Sequence, residues 1–278
     1  MHLPRGLAPL RHTDAMSDAS KAGAAGPGKV VFVGAGPGAA DLITVRGARW
    51  LARASVVLHD ALTDPALREL APQAEWIDVG KRGFSNESTA QDHINELLVE
   101  QARAHAVVVR LKGGDPSVFG RLEEELEALA AAGVDSEVVP GITAAVAAAA
   151  ATQRPLTRRG RGRSVSFSTA MTQTGDLHAS RSADTEVFYM AGKQLAALAQ
   201  RLQQAGWPAE TAVSIVSRAG WPDQVQTDHT VATMAEASER HAGRPTLVTV
   251  GAGAVPLSGV RNPAAAPAPS SGQPNPTP

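Results

Sequence analysis

The chain has 278 residues, 43% hydrophobic and 19% charged, enough to bury the core of one large or two modest domains. Its net charge of −1 excludes a global basic field of the kind that draws nucleic acid or an anionic membrane, so an acidic ligand must meet a local cluster of cations. With no cysteine, disulfides and thiolate chemistry are excluded, and the eight histidines show no paired metal-ligand spacing, so no metal site is expected.

Residues 1–28 lack the apolar stretch and small-residue cleavage site of a signal peptide and read as a disordered tail, with Met16 an alternative start. The cytoplasm is the default location. Residues 30–33 read as a strand running into glycines, 41–54 as a helix, 55–58 as a second strand and 77–79 as a third. Residues 91–104 carry Ile94, Leu97 and Leu98 at helical spacing, and 107–111 form a β-branched strand. Residues 121–132 read as a helix closed by Gly133, and 137–139 lead into Pro140-Gly141, a hinge. An alanine-rich helix follows, its run 144–151 too short to span a bilayer. Strands at 164–168, 187–190 and 212–216, a helix at 194–205 and a closing strand at 247–250 complete the pattern. The expectation is α/β, with lobes at 29–140 and 141–252, no internal repeat, and a disordered Pro/Ala-rich tail at 253–278.

Gly34-Ala35-Gly36-Pro37-Gly38 follows a strand and invites a dinucleotide-binding reading. The third glycine arrives one residue early, and Pro37 has no N–H to offer a pyrophosphate, which disfavours that reading. A second glycine turn, Lys112-Gly113-Gly114-Asp115-Pro116, ends a second strand. Ligands collect outside the carboxyl ends of strands in open α/β sheets, so two such turns point to a small-molecule pocket lined by backbone groups. Asp115 is equally readable as a turn residue or helix cap.

Several segments, in one order and at one set of spacings from about residue 29 to 251, resemble the uroporphyrinogen-III C-methyltransferases. They are KVVFVGAGPGAAD at 29–41, Val79-Gly80-Lys81-Arg82, VVRLKGGDP with Phe119-Gly120-Arg121, VVPGITA at 138–144, Pro155-Leu156-Thr157, and Tyr189-Met190. The resemblance implies a two-lobed α/β fold with the cofactor in the cleft between lobes, a homodimer, and methyl transfer from S-adenosylmethionine to two pyrrole carbons of uroporphyrinogen III, giving precorrin-2 for sirohaem or cobalamin.

Carried over residue by residue, the cofactor contacts fall on Pro37, Gly113, Gly114, Asp115, Val118, Thr143, Ala144, Met190 and Ala219. Plain core packing is the alternative for Met190. The catalytic groups fall on Asp60, as a base, and Lys81, as a carboxylate partner or proton donor; a turn cap and a surface cation are the alternatives. Uroporphyrinogen carries eight carboxylates, and Arg158, Arg159, Arg161 and Arg163 form a cationic cluster suited to them. The same cluster also reads as a solvated loop, which Gly160 and Gly162 would make mobile.

The chain departs from the family pattern at His59 and Ala61 around the aspartate, at Ala39, Ser117, Leu122-Glu123 and Arg158, at Ser168-Thr169-Ala170, and at Ala219. Most departures lie on the expected substrate side. A methyltransferase of a later precorrin, or a non-catalytic tetrapyrrole- or adenosyl-binding protein, are the competing readings. A bifunctional sirohaem synthase is disfavoured, since 28 residues leave no room for an added domain.

Overall fold

A computed structural model describes residues 27–80, 87–170 and 177–260, with side chains from 91 onward in the second stretch. Two compact units result. Among the described residues, the first holds those up to Ala35 and from Ala40 to Gly141; the second holds Gly36–Ala39 and those from Ile142.

The first unit is a five-stranded, wholly parallel sheet. Its strands are β1 (Lys29–Gly34), β2 (Val56–His59), β3 (Glu75–Asp78), β4 (Val107–Lys112) and β5 (Ser136–Val139), ordered β3-β2-β4-β1-β5. Because side chains alternate, each strand feeds two cores. Val31, Val33, Val57, Val109 and Leu111 pack on one face with Leu51 of α1 (Val45–Leu51). Val30, Phe32, Val56, Leu58 and Val108 pack on the other with Leu98 of α2 (Glu87–Ala104) and Leu129 of α3 (Leu122–Ala131). A sheet covered on both faces explains why these strands read as continuous apolar runs.

The expected helix at 41–54 is shorter than its hydrophobic pattern. Thr44 Oγ1 accepts from Gly47 N at 3.1 Å and caps α1, leaving Ala40–Leu42 as a separate 3-10 turn. Gly133 ends α3 as expected: with φ +69°, it lets Val134 N reach Leu129 O at 2.9 Å.

The second unit is a mixed sheet of β6 (Val165–Thr169), β7 (Thr185–Tyr189), β8 (Ala212–Ser217), β9 (Val225–Thr230) and β10 (Thr246–Gly251), ordered β6-β7-β10-β8-β9. Only β6–β7 is parallel. One face packs on α5 (Leu195–Gln204) through Leu195, Leu198 and Leu202, and the other on the alanines of α4 (Ala144–Ala151). The sequence pattern missed β9, whose VQTDHT lies at the sheet edge and carries no buried apolar side chain. The expected tail from 253 is also corrected at its start. Gly253 and Ala254 are buried in a 3-10 turn, where Gly253 N donates to Thr185 Oγ1 at 2.8 Å. Residues 255–260 are exposed, and those from 261 lie outside the described ones.

Among the described residues no helix is long and apolar enough to cross a membrane.

Candidate functional site

In the first unit, the parallel strands place all their carboxyl ends along one edge. Asp60 follows β2 there and Gly113–Asp115 follow β4. Asp60 does not cap the next turn; Asp64 does so, accepting from Ala66 N at 2.9 Å. The Asp60 carboxylate instead takes Arg110 Nη2 at 2.7 Å on Oδ1 and faces Gly113 N at 3.4 Å on Oδ2. Its side chain keeps 33% of its surface, so it is a held but accessible carboxylate.

Asp115 resolves to its turn-forming reading. Oδ1 accepts from Ser117 N at 2.8 Å and Oδ2 from Gly141 N at 2.8 Å, so the side chain straps its own loop. Beneath it, three backbones meet. A Cβ on Gly34 would lie 2.5 Å from Gly141 Cα, and one on Gly141 would lie 2.2 Å from Gly114 O. Glycine is required at both positions by this close approach. Gly113, by contrast, has open space beyond it, with Leu62 Cβ at 3.6 Å the nearest atom to a built Cβ. Val118 N closes the turn onto Asp115 O at 3.1 Å. Lys81 lies outside the described residues.

In the second unit, Thr143, Ala144 and Met190 come together through Tyr189. The Tyr189 hydroxyl pairs with Thr143 Oγ1 at 2.7 Å and accepts from Ala145 N at 3.3 Å. Met190 follows with φ +57° and 52% exposure. An exposed, left-handed methionine is not core packing; backbone strain of this kind gathers at binding sites.

Pro37 is held by a residue that the sequence reading missed. Trp221 Nε1 donates to Pro37 O at 3.0 Å, and a Cβ on Gly38 would sit 2.3 Å from the indole. Arg218, itself at φ +52°, lies over that ring at 4.2 Å and is fixed by Asp223 at 2.7 Å. This packing draws Gly36–Ala39 into the second unit. The signal was available as a tryptophan two residues past Ala219, but nothing in the sequence pairs it with residue 37.

The arginine cluster lies elsewhere in this unit. Residues 158–162 close into a turn, with Arg158 N on Gly162 O at 2.7 Å and Gly160 at φ +77°. Gly162 packs against Ala252. Arg158 and Arg161 line a 340 Å³ pocket with Arg181, Asp184 and Trp207, while Arg159 is exposed. Crowding by burial, Arg154 and Arg161 lowers the Arg158 pKa. Asp184 precedes β7 and Met190 follows it, so pocket and methionine sit at opposite ends of one strand, roughly 20 Å apart at the usual rise.

Residues 29–235 match the model of the Tetrapyrrole (Corrin/Porphyrin) Methylases. The chain belongs to this family. It is 41% identical over 234 residues to the uroporphyrinogen-III C-methyltransferase of Synechocystis, covering 81% of this chain and 89% of that one. It is 43% identical over 230 residues to a siroheme synthase of Neisseria meningitidis, of which it spans 47%, so it covers about half the length of that relative. Among solved structures, the uroporphyrin-III C-methyltransferase of Thermus thermophilus complexed with S-adenosyl homocysteine superposes with TM-score 0.71 at 36% identity, covering 81% and 97% of the two chains. The cobalt precorrin-4 methyltransferase CbiF gives TM-score 0.72 at 28% identity, covering 82% and 96%.

Proposed function

We propose that the chain is an S-adenosylmethionine-dependent C-methyltransferase that converts uroporphyrinogen III to precorrin-2. The observation that carries this reading is the Asp60 carboxylate, held at the carboxyl edge of a parallel sheet beside the open backbone of Gly113. Relatives at 41% identity named for this reaction support the substrate.

The residues present fit the cofactor. Gly113 is open, Gly114 turns at φ +69°, and Met190 presents its side chain to solvent. We assign Pro37, Gly113, Gly114, Asp115, Val118, Thr143, Ala144, Met190 and Ala219 to it. When bound, the cofactor supplies a methyl group on a sulfonium whose C–S bond breaks as the pyrrole carbon attacks. The methylated carbon becomes quaternary, and Asp60 accepts the proton that the cationic ring then sheds from another of its positions. Arg110 holds the carboxylate in place for that transfer. Lys81 and the Arg158–Arg159–Arg161 cluster are assigned to substrate carboxylates, and a cytoplasmic homodimer belongs to the same reading.

Replacing Asp60 with Asn tests the role directly. Turnover should fall by at least about a hundredfold, within the usual range for a lost general base, while S-adenosylhomocysteine binding by calorimetry stays within about threefold. An Asp60→Asn enzyme at full activity would contradict the reading.

A further inference from the structure

Arg110 and Lys112 stand two residues apart on β4, so both side chains leave the same face of the sheet. That face is covered by α3, whose first turn supplies Glu125. The Glu125 carboxylate is fully buried, accepting from Arg110 Nε at 3.0 Å on one oxygen and from Lys112 Nζ at 2.7 Å on the other. Gln91 adds a weak donor at 3.5 Å. Arg110 then sends Nη1 to Leu111 O at 3.3 Å and Nη2 to Asp60. The four charges cancel, three of the groups are sealed from water, and Asp60 is the one that reaches the surface.

A guanidinium is a rigid planar fork, so fixing Nε fixes where Nη2 points. Burying a third and fourth charge to steer one carboxylate is costly unless every partner is satisfied, which is the case here. We propose that Glu125 is a positioning residue for methyl transfer: its bond to Arg110 Nε aims the guanidinium at Asp60, and Lys112 neutralises the charge that this bond requires. The inference rests on the reading of Asp60 as the catalytic carboxylate.

Two charge-balanced double variants separate positioning from simple stability. Lys112→Met with Glu125→Gln removes both buried charges but keeps an acceptor for Arg110 Nε. Lys112→Met with Glu125→Met removes that acceptor at the same net charge. Each is measured for folding by circular dichroism and for kcat and KM toward S-adenosylmethionine with uroporphyrinogen III. The Gln variant should keep kcat within about threefold of wild type. The Met variant should lose about a hundredfold in kcat at unchanged KM, the loss expected of a misplaced reacting group.

Equal kcat values in the two folded variants would overturn the proposal. So would a folded Gln variant that has lost its kcat, even where the Met variant fails to fold. Asp60→Asn in the same assay locates the failure. An inactive Asp60→Asn beside equal double variants removes only the role of Glu125, and an active one removes the catalytic reading and the inference together.

Discussion

The phenolic oxygen of Tyr189 lies 2.7 Å from Thr143 Oγ1 and ties the end of β7 to the first turn of α4. Thr143 occupies the N-cap of α4 without a capping bond from its side chain, and the Tyr189 oxygen takes Ala145 N in its place. Tyrosine to phenylalanine at 189 therefore strands a donor at the helix start and frees the threonine. Loss of one such bond costs roughly 1 kcal/mol, so the variant should melt a few degrees lower. Its affinity for S-adenosylhomocysteine should also fall several-fold, read by calorimetry; unchanged affinity would detach Thr143 from the cofactor site.

The Gly38–Trp221 contact predicts a coupled pair. A methyl group at residue 38 meets the indole at 2.3 Å, so Gly38→Ala must displace either the loop or the ring. We expect about tenfold weaker cofactor binding from Gly38→Ala. Adding Trp221→Ala should recover part of it, since residues in direct contact are non-additive by about 0.5–3 kcal/mol. Strictly additive effects in the cycle would show that the indole does not set the position of Pro37.

His241 gives a pH dependence. Fully buried, it pairs through Nδ1 with Ser217 Oγ at 2.6 Å and through Nε2 with Thr227 Oγ1 at 2.9 Å. Burial, with smaller contributions from Arg240, His229 and Arg244, lowers its pKa from 6.5 to about 4. The unfolded chain thus gains a proton below pH 6.5 that the folded chain refuses. Stability is complete above that value and declines as pH falls toward 4, by about 2–3 kcal/mol. Urea denaturation of wild type and His241→Gln at pH 7 and pH 4.5 checks it: the variant should lack this part of the decline.

Met190 predicts a trade between stability and binding. Glycine at 190 adopts φ +57° without a Cβ, relieving strain of about 1 kcal/mol. Met190→Gly should melt no lower than wild type yet bind S-adenosylhomocysteine several-fold more weakly. A variant with wild-type affinity would remove the side chain from the site.

Much of this was legible because it rests on local pattern. The parallel strands read as apolar runs, and Gly113, Gly114 and Asp115 were found as a turn at a strand's carboxyl end, where backbone must approach closely. The misses share a cause: they depend on pairings across the fold. Arg110 and Lys112 sit in a strand that reads as β-branched, and their burial needs Glu125 from the next helix. Arg154 is likewise buried through a bidentate pair with Asp228 on the unrecognised edge strand, at 2.6 Å on both contacts. Two cations at strand spacing before an acidic helix start, Glu123-Glu124-Glu125, were the available signal for the first of these.

The central claim is tested most directly by incubating the purified chain with S-adenosylmethionine and freshly generated uroporphyrinogen III, and weighing the product by mass spectrometry. The product should be a tetrapyrrole heavier by two methyl groups, formed only with both enzyme and cofactor. An unmodified substrate, with cofactor binding intact and a competent control enzyme active, would contradict it.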